Sequence, residues 1–293
     1  MSQHHPIITV TGSSDRANEN IRETFEHIFW REKVSAAFID GSAYRRFDRA
    51  GFEAELVRAR VRGQRPISHF GIEANLLSEL EETFRRYGET GTGRTRHYAH
   101  SEAVALRHGV PTGTFTPWQP LPEPTDILLY EGRHGALVTD GIDIARHGDM
   151  RIGVVPVINL EWIEKIQRDK ADLGYSTAAI TDTILRRMTD YVEIVCPQFS
   201  HTDINFQRIP IVDTSNPFIA RYEPTEEETM VVIRFRNPRG IDFPYLLSMI
   251  HDSFMSRANS IVIPGGKLDI AMQLILMPMI LQLVERSRRA RWL

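Results

Sequence analysis

Hydrophobic and polar positions fall into two rhythms along the chain. Short, largely apolar runs occupy residues 7–10, 34–39, 127–130 and 152–158, and small, polar or acidic residues follow most of them. Such runs mark strands buried on both faces. Between them, apolar residues recur at helical spacing, as in Ile21, Thr24, Phe25, Ile28 and Phe29. The same rhythm predicts helices over 49–62, 73–87, 160–172 and 177–191, the last through Ile180, Ile184, Leu185 and Met188. Further strands are expected at 192–195, 209–212, 230–235 and 260–263, with a helix over 243–257. Alternating strands and helices predict a layered α/β fold around a mainly parallel sheet, and the closer spacing of the late strands predicts an antiparallel extension at one edge.

Two segments break the rhythm. Residues 88–124 are rich in Gly, Thr, Pro, Arg and His and carry little period. A long irregular insertion is usually functional, so a lid or substrate loop within one domain spanning 1–293 is expected. Residues 268–284 are the most apolar run, yet Asp269, Gln273, Pro278 and Gln282 interrupt it. That pattern suits a buried, Pro-kinked helix better than a membrane span.

Composition narrows the classes. The 293 residues are 42% hydrophobic and 25% charged, which excludes disordered, collagenous and disulfide-scaffold proteins. A formal net charge of −3 gives no sign of a nucleic-acid partner. One cysteine, Cys196, and no leader-like start point to a cytoplasmic protein. Of 35 basic residues only Lys33, Lys165, Lys170 and Lys267 are lysines. Genome composition gives such a bias; so does phosphate handling, since Arg grips phosphate bidentately.

In a parallel sheet, ligands gather at the carboxyl ends of the strands. Those ends carry Gly12-Ser13-Ser14, Asp40-Gly41-Ser42, Glu131-Gly132 and Asn159. A strand, a Gly-containing turn and a helix, with a later apolar strand ending in a carboxylate, is the layout of a nucleoside-triphosphate kinase. Glu131 would then serve Mg²⁺, although strand-terminal glutamates are also common without function. The first turn departs from the phosphate-loop pattern G-x-x-x-x-G-K-[ST]: after Gly12 come Ser13, Ser14, Asp15, Arg16, Ala17, Asn18, Glu19 and Asn20, with no further glycine and no lysine. Lys165, Arg168 and Asp169 share one helical face and could clamp a phosphoryl group, or be a solvated charged face.

Several longer runs resemble the bacterial phosphoribulokinase family. They include Gly88-Glu89-Thr90-Gly91, Val154-Val155-Pro156-Val157-Ile158-Asn159-Leu160-Glu161-Trp162, Pro197-Gln198-Phe199-Ser200 and Asp213-Thr214-Ser215-Asn216-Pro217-Phe218. The resemblance covers residues 6–284. It implies an adenylate-kinase-like P-loop fold, and transfer of the γ-phosphoryl group of ATP, with Mg²⁺, to the C1 hydroxyl of ribulose 5-phosphate. It further implies a homo-oligomer, typically an octamer, activated by NADH and inhibited by AMP. On that resemblance Gly12, Ser13, Ser14 and Asn20 fall in the nucleotide turn, and Glu131 and Asp169 at the metal. Lys165 and Arg168 reach phosphates; Arg49, Arg45 and His100 hold the sugar phosphate; Arg187, Arg234 and Arg257 serve the allosteric effector. Three positions depart from the family beyond the turn: Ser42 stands where the family has its aspartate base, Arg45 where it has a histidine for the sugar phosphate, and Leu173 where it has an arginine. A second reading of these departures is a weak or inactive paralogue that binds sugar phosphate or effector and co-assembles with an intact homologue.

Overall fold

The computed structural model describes residues 4–291 apart from 13, 14, 175 and 221; the side chains of 15–20, 172 and 173 also lie outside the described set. Eight strands form one sheet: β1 (Ile7–Gly12), β2 (Ala36–Asp40), β3 (Ile127–Gly132), β4 (Met150–Val155), β5 (Ile204–Pro210), β6 (Thr229–Phe235), β7 (Phe254–Arg257) and β8 (Ser260–Pro264). Their spatial order is β2-β3-β1-β4-β5-β6-β8-β7. The first five are parallel, and the last three add antiparallel pairs at one edge. This is the layered architecture and the edge extension that the hydrophobic pattern predicts.

Among the described residues eight α-helices accompany the sheet: α1 (Asp15–Glu32), α2 (Arg49–Val61), α3 (Leu77–Thr90), α4 (Glu102–His108), α5 (Ile158–Leu173), α6 (Thr177–Asp190), α7 (Phe243–Met249) and α8 (Leu268–Arg291). β1 is central, with all six residues buried, which explains its unbroken apolar reading. One core joins α1, α7 and α8 to the sheet through Phe25, Ile28, Leu246, Ile275 and Ile280. A second core lies around α3, with Leu80, Phe84, Tyr87, Ile39 and Tyr130. A small third cluster, Ile166, Ile180 and Ile184, joins α5 to α6. The α8 helix is long and apolar enough to cross a membrane. Here Ala271, Met272, Leu276 and Val284 lie buried in the main core, in line with the reading of a Pro-containing core helix.

Local chemistry sets most boundaries. Asp48 caps α2 through the Gly51 N–H, Ser101 caps α4 through Val104, and Ser176 caps α6 through Ala179. Gly91 ends α3 in the left-handed region, where a Cβ would be strained.

Four expected elements change. Residues 192–195 are not a strand: α6 runs on as a wide helical turn, Tyr191–Val195, and then a 3-10 turn, Cys196–Ser200. A four-residue apolar run fits helix or strand equally, and Val192 faces solvent. The strand expected at 209–212 starts earlier, at Ile204, and ends at Pro210, with Ile211 exposed. The helix expected over 243–257 is a short helix followed by the edge strand β7. α3 starts at Leu77, after a 3-10 turn at Ile72–Ala74.

Candidate active site

The parallel strands deliver their carboxyl ends together. Glu131 on β3 lies in register with Val10 on β1 and Asp40 on β2, two residues short of the level of Gly12. β1 ends at Gly12 and α1 begins at Asp15; Ser13, Ser14 and the side chain of Asn20 lie outside the described residues. Asp40 accepts a hydrogen bond from the Ser42 N–H at 2.7 Å and so caps the 3-10 turn Gly41–Tyr44. Arg22 of α1 joins this corner. Burial opposes its charge, but Glu26, Glu131 and Asp40 outweigh that and push it above the ordinary guanidinium range.

Residues 88–124 are less irregular than their composition suggests. They contain α4 and a small ribbon, Arg94–Thr95 against Gln119–Pro120. Arg96 lies over the rings of Phe115 at 3.7 Å and Trp118 at 4.6 Å. Its guanidinium donates to the carbonyls of Ala43 and Arg45, each at 2.7 Å. The insertion is thereby stitched to the segment that carries Ser42. The same stitching places His100 beside α2: the Arg49 guanidinium donates to the His100 carbonyl at 3.2 Å. Arg45 lies over the Tyr98 ring at 4.8 Å. The three residues expected to hold sugar phosphate, Arg45, Arg49 and His100, therefore collect at one corner.

The face of α5 is assembled as its spacing predicts. Asp169 is buried, ion-paired with Lys165 and, at 3.3 Å, with Arg168. This face opens on a pocket of about 100 Å³ between α5 and α6. Its wall sets the cations Arg133, Lys165, Arg168 and Arg187 among two carboxylates, Glu161 and Glu164, and the rings of Phe70, Trp162 and Tyr191. Burial lowers Lys165 below the usual ammonium range, with Arg187 and Arg168 adding to the shift and Asp169 opposing it. Burial, then Arg133, lowers Arg187 to about 10, so it stays a cation at neutral pH. His69, stacked on Phe52 at 3.9 Å, is lowered to about 2 by burial and by Arg45, Arg187, Arg133 and Lys165. Several cations thus converge on one neutral imidazole.

The three residues expected at an effector site separate. Arg187 faces the α5–α6 pocket, whereas Arg234 on β6 and Arg257 on β7 both lie opposite Ser260, in the antiparallel extension. Two residues of the pocket wall had no signal in the sequence: Phe70 and Arg133 stand in no motif and only the fold gathers them.

A family model described as the phosphoribulokinase / uridine kinase family matches residues 7–215. The phosphoribulokinase of Nitrobacter vulgaris is 62% identical over 290 residues, covering 99% of this chain and 100% of that protein. The chain belongs to the phosphoribulokinase family. Phosphoribulokinase 1 of Cereibacter sphaeroides is 60% identical over 290 residues, covering 99% of this chain and 100% of that one. The solved phosphoribulokinase from Rhodobacter spheroides superposes with a TM-score of 0.90 at 58% identity, over 98% of this chain and 100% of that chain. The phosphoribulokinase fold, a P-loop kinase sheet with an antiparallel edge, is therefore the fold seen here. These full-length likenesses do not favour the reading as an inactive paralogue.

Proposed function

We propose that this chain transfers the γ-phosphoryl group of ATP to the C1 hydroxyl of ribulose 5-phosphate, giving the 1,5-bisphosphate and ADP. The observation that carries the reading is the likeness to phosphoribulokinases at 62% identity along the full length of both chains. The assembled face of α5 is consistent with it.

Phosphoryl transfer passes through a loose transition state, so positioning and charge neutralisation do most of the work. In this reading Lys165 and Arg168 move from Asp169 to the phosphates, and Arg45, Arg49 and His100 orient the sugar phosphate. Glu131 is a hard oxygen donor beside the turn, as Mg²⁺ requires. Among the described residues no cluster of three His, Cys, Asp or Glu could hold a metal alone. That fits an ion bound by one or two carboxylates, the substrate's phosphates and water. Asp169 would join Glu131 once Lys165 releases it. The ion would neutralise charge developing between the β- and γ-phosphates. Ser42 is too weak a base to take the C1 proton; Asp40, whose carboxylate caps the Ser42 turn, is the nearby acceptor. The enzyme would work in the cytoplasm as a homo-oligomer of octameric type, with residues 1–293 as one domain and 88–124 covering the acceptor. NADH would activate and AMP inhibit it through Arg234 and Arg257, with Arg187 coupling to the pocket.

A coupled assay of ADP release from Mg·ATP and ribulose 5-phosphate tests the reading. Sugar-dependent turnover that Asp169→Ala abolishes is expected. No turnover above background at high enzyme concentration overturns it.

A further inference from the structure

The run Asp213-Thr214-Ser215-Asn216-Pro217-Phe218 belongs to a long excursion, residues 211–228, between β5 and β6. These two strands are antiparallel neighbours, which a turn of about two residues can join, so an excursion of this length needs a reason. Its base is closed. The Ile211 N–H donates to the Glu228 carbonyl at 2.9 Å, and Arg208 of β5 donates to the Pro224 carbonyl at 2.5 Å and to Thr229 Oγ1 at 3.3 Å. Further out, two side chains fold the backbone into successive turns. Asp213 accepts from the Ser215 N–H at 2.9 Å, and Asn216 from the Phe218 N–H at 3.2 Å. Pro217 is buried between them and restricts the backbone there.

The excursion reaches α5. The Phe218 ring meets the Trp162 ring with centres 5.5 Å apart, tilted by 55°. The Gln167 side-chain amide donates to the Ala220 carbonyl, 53 residues along the chain, at 2.8 Å. Trp162, Lys165 and Asp169 stand at i, i+3 and i+7, which is one stripe of α5, and Trp162 lines the same pocket as Lys165. The helix itself is modestly anchored. It starts at Val157 without a side-chain cap, and the cluster that joins it to α6, Ile166, Ile180 and Ile184, is small and separate from the two larger cores. Elements with small cores open at low cost, whereas catalysis loses about 10²-fold when a group is misplaced by about 1 Å. Ile219, the next residue along, is 75% exposed, against 38% for Phe218.

We propose that the 211–228 excursion is a strap that holds α5 in its working position, with Phe218 and Gln167 as positioning residues for Lys165 and Asp169. Phe218 acts through Trp162 and not on the substrate. The inference rests on the proposed kinase function for the roles of Lys165 and Asp169, and on the two contacts with α5 for the strap itself.

The test compares the parent enzyme with Phe218→Ala, Phe218→Tyr and Ile219→Ala, each checked by its melting curve. Phe218→Ala is expected to lower kcat at least tenfold with both KM values within threefold, because a misplaced group loses the interaction made in the transition state. Phe218→Tyr keeps the ring and should retain at least half of the parent kcat, and Ile219→Ala should match the parent. An unchanged kcat in Phe218→Ala, an equal loss in Ile219→Ala, or a loss that Phe218→Tyr does not restore overturns the proposal. Hydrogen–deuterium exchange separates this from the kinase reading, because it needs no turnover. Peptides from residues 158–173 should exchange at least fivefold faster in Phe218→Ala than in the parent, with peptides from α3 unchanged. That result supports the strap even if the parent is inactive on ribulose 5-phosphate, and equal exchange over α5 refutes it. Should Phe218→Ala fail to fold, Gln167→Leu, which removes the bond to Ala220, takes its place in both measurements, and no effect on either refutes the strap.

Discussion

Asp190→Ala should unlatch the loop that walls the pocket. Asp190 closes α6 and is 7% exposed. It accepts a hydrogen bond from Ser68 Oγ at 2.5 Å and pairs with Arg65. Arg65 is half-exposed, so water replaces most of what it loses and its share is small. Ser68 is 2% exposed, and its hydroxyl would be left without its acceptor. A buried donor orphaned in this way costs about 1–3 kcal/mol. At roughly 2–4 °C per kcal/mol for a chain of this size, the melting temperature should fall by about 2–12 °C. Asp190→Asn keeps an acceptor and should lose less than half of that. Ser68→Ala combined with Asp190→Ala removes the orphaned hydroxyl but also the acceptor of the Phe70 N–H at 3.1 Å, so the two losses should not simply add. Thermal unfolding followed by circular dichroism reads all three. A fall of under 1 °C for Asp190→Ala refutes the reasoning.

Two further outcomes follow from the site. Ser42→Asp supplies a carboxylate at the family's base position and should raise kcat about 10- to 100-fold, since a positioned base contributes roughly 10²–10⁴; steady-state kinetics showing no gain contradicts it. His69 is held neutral down to about 2, against 6.5 when unfolded. Its contribution is therefore complete above pH 6.5 and is lost as pH falls from 6.5 toward 2, because only the unfolded chain takes up the proton. That loss is at most about 1.4 kcal/mol per pH unit. Melting temperatures between pH 7 and 5 should fall less steeply in His69→Gln than in the parent; parallel curves speak against it.

Much of this fold is legible because its parallel strands are short apolar runs punctuated by glycine and carboxylate. Gly12, Asp40 and Glu131 mark the ends of three neighbouring strands, and the helical spacing of Lys165, Arg168 and Asp169 survives as a real cluster. The errors sit where local pattern is ambiguous. Residues 192–195 are too short a run to tell a helical turn from a strand, and β7 is an edge strand with exposed Phe254 and little alternation to mark it. The pocket wall is illegible for another reason. Phe70, Arg133 and Arg187 are brought together by the sheet order and by the α5–α6 pairing, which no spacing along the chain encodes. Residues 88–124 read as loop because Arg96, the residue that organises them, acts through Phe115, Trp118 and backbone carbonyls some 50 residues away.

The most direct test of the central claim is the product itself. Purified protein incubated with Mg·ATP and ribulose 5-phosphate, followed by phosphorus NMR, should show ribulose 1,5-bisphosphate and ADP appearing in equal amounts. ADP without bisphosphate, or an unchanged spectrum at high enzyme concentration, would contradict the account.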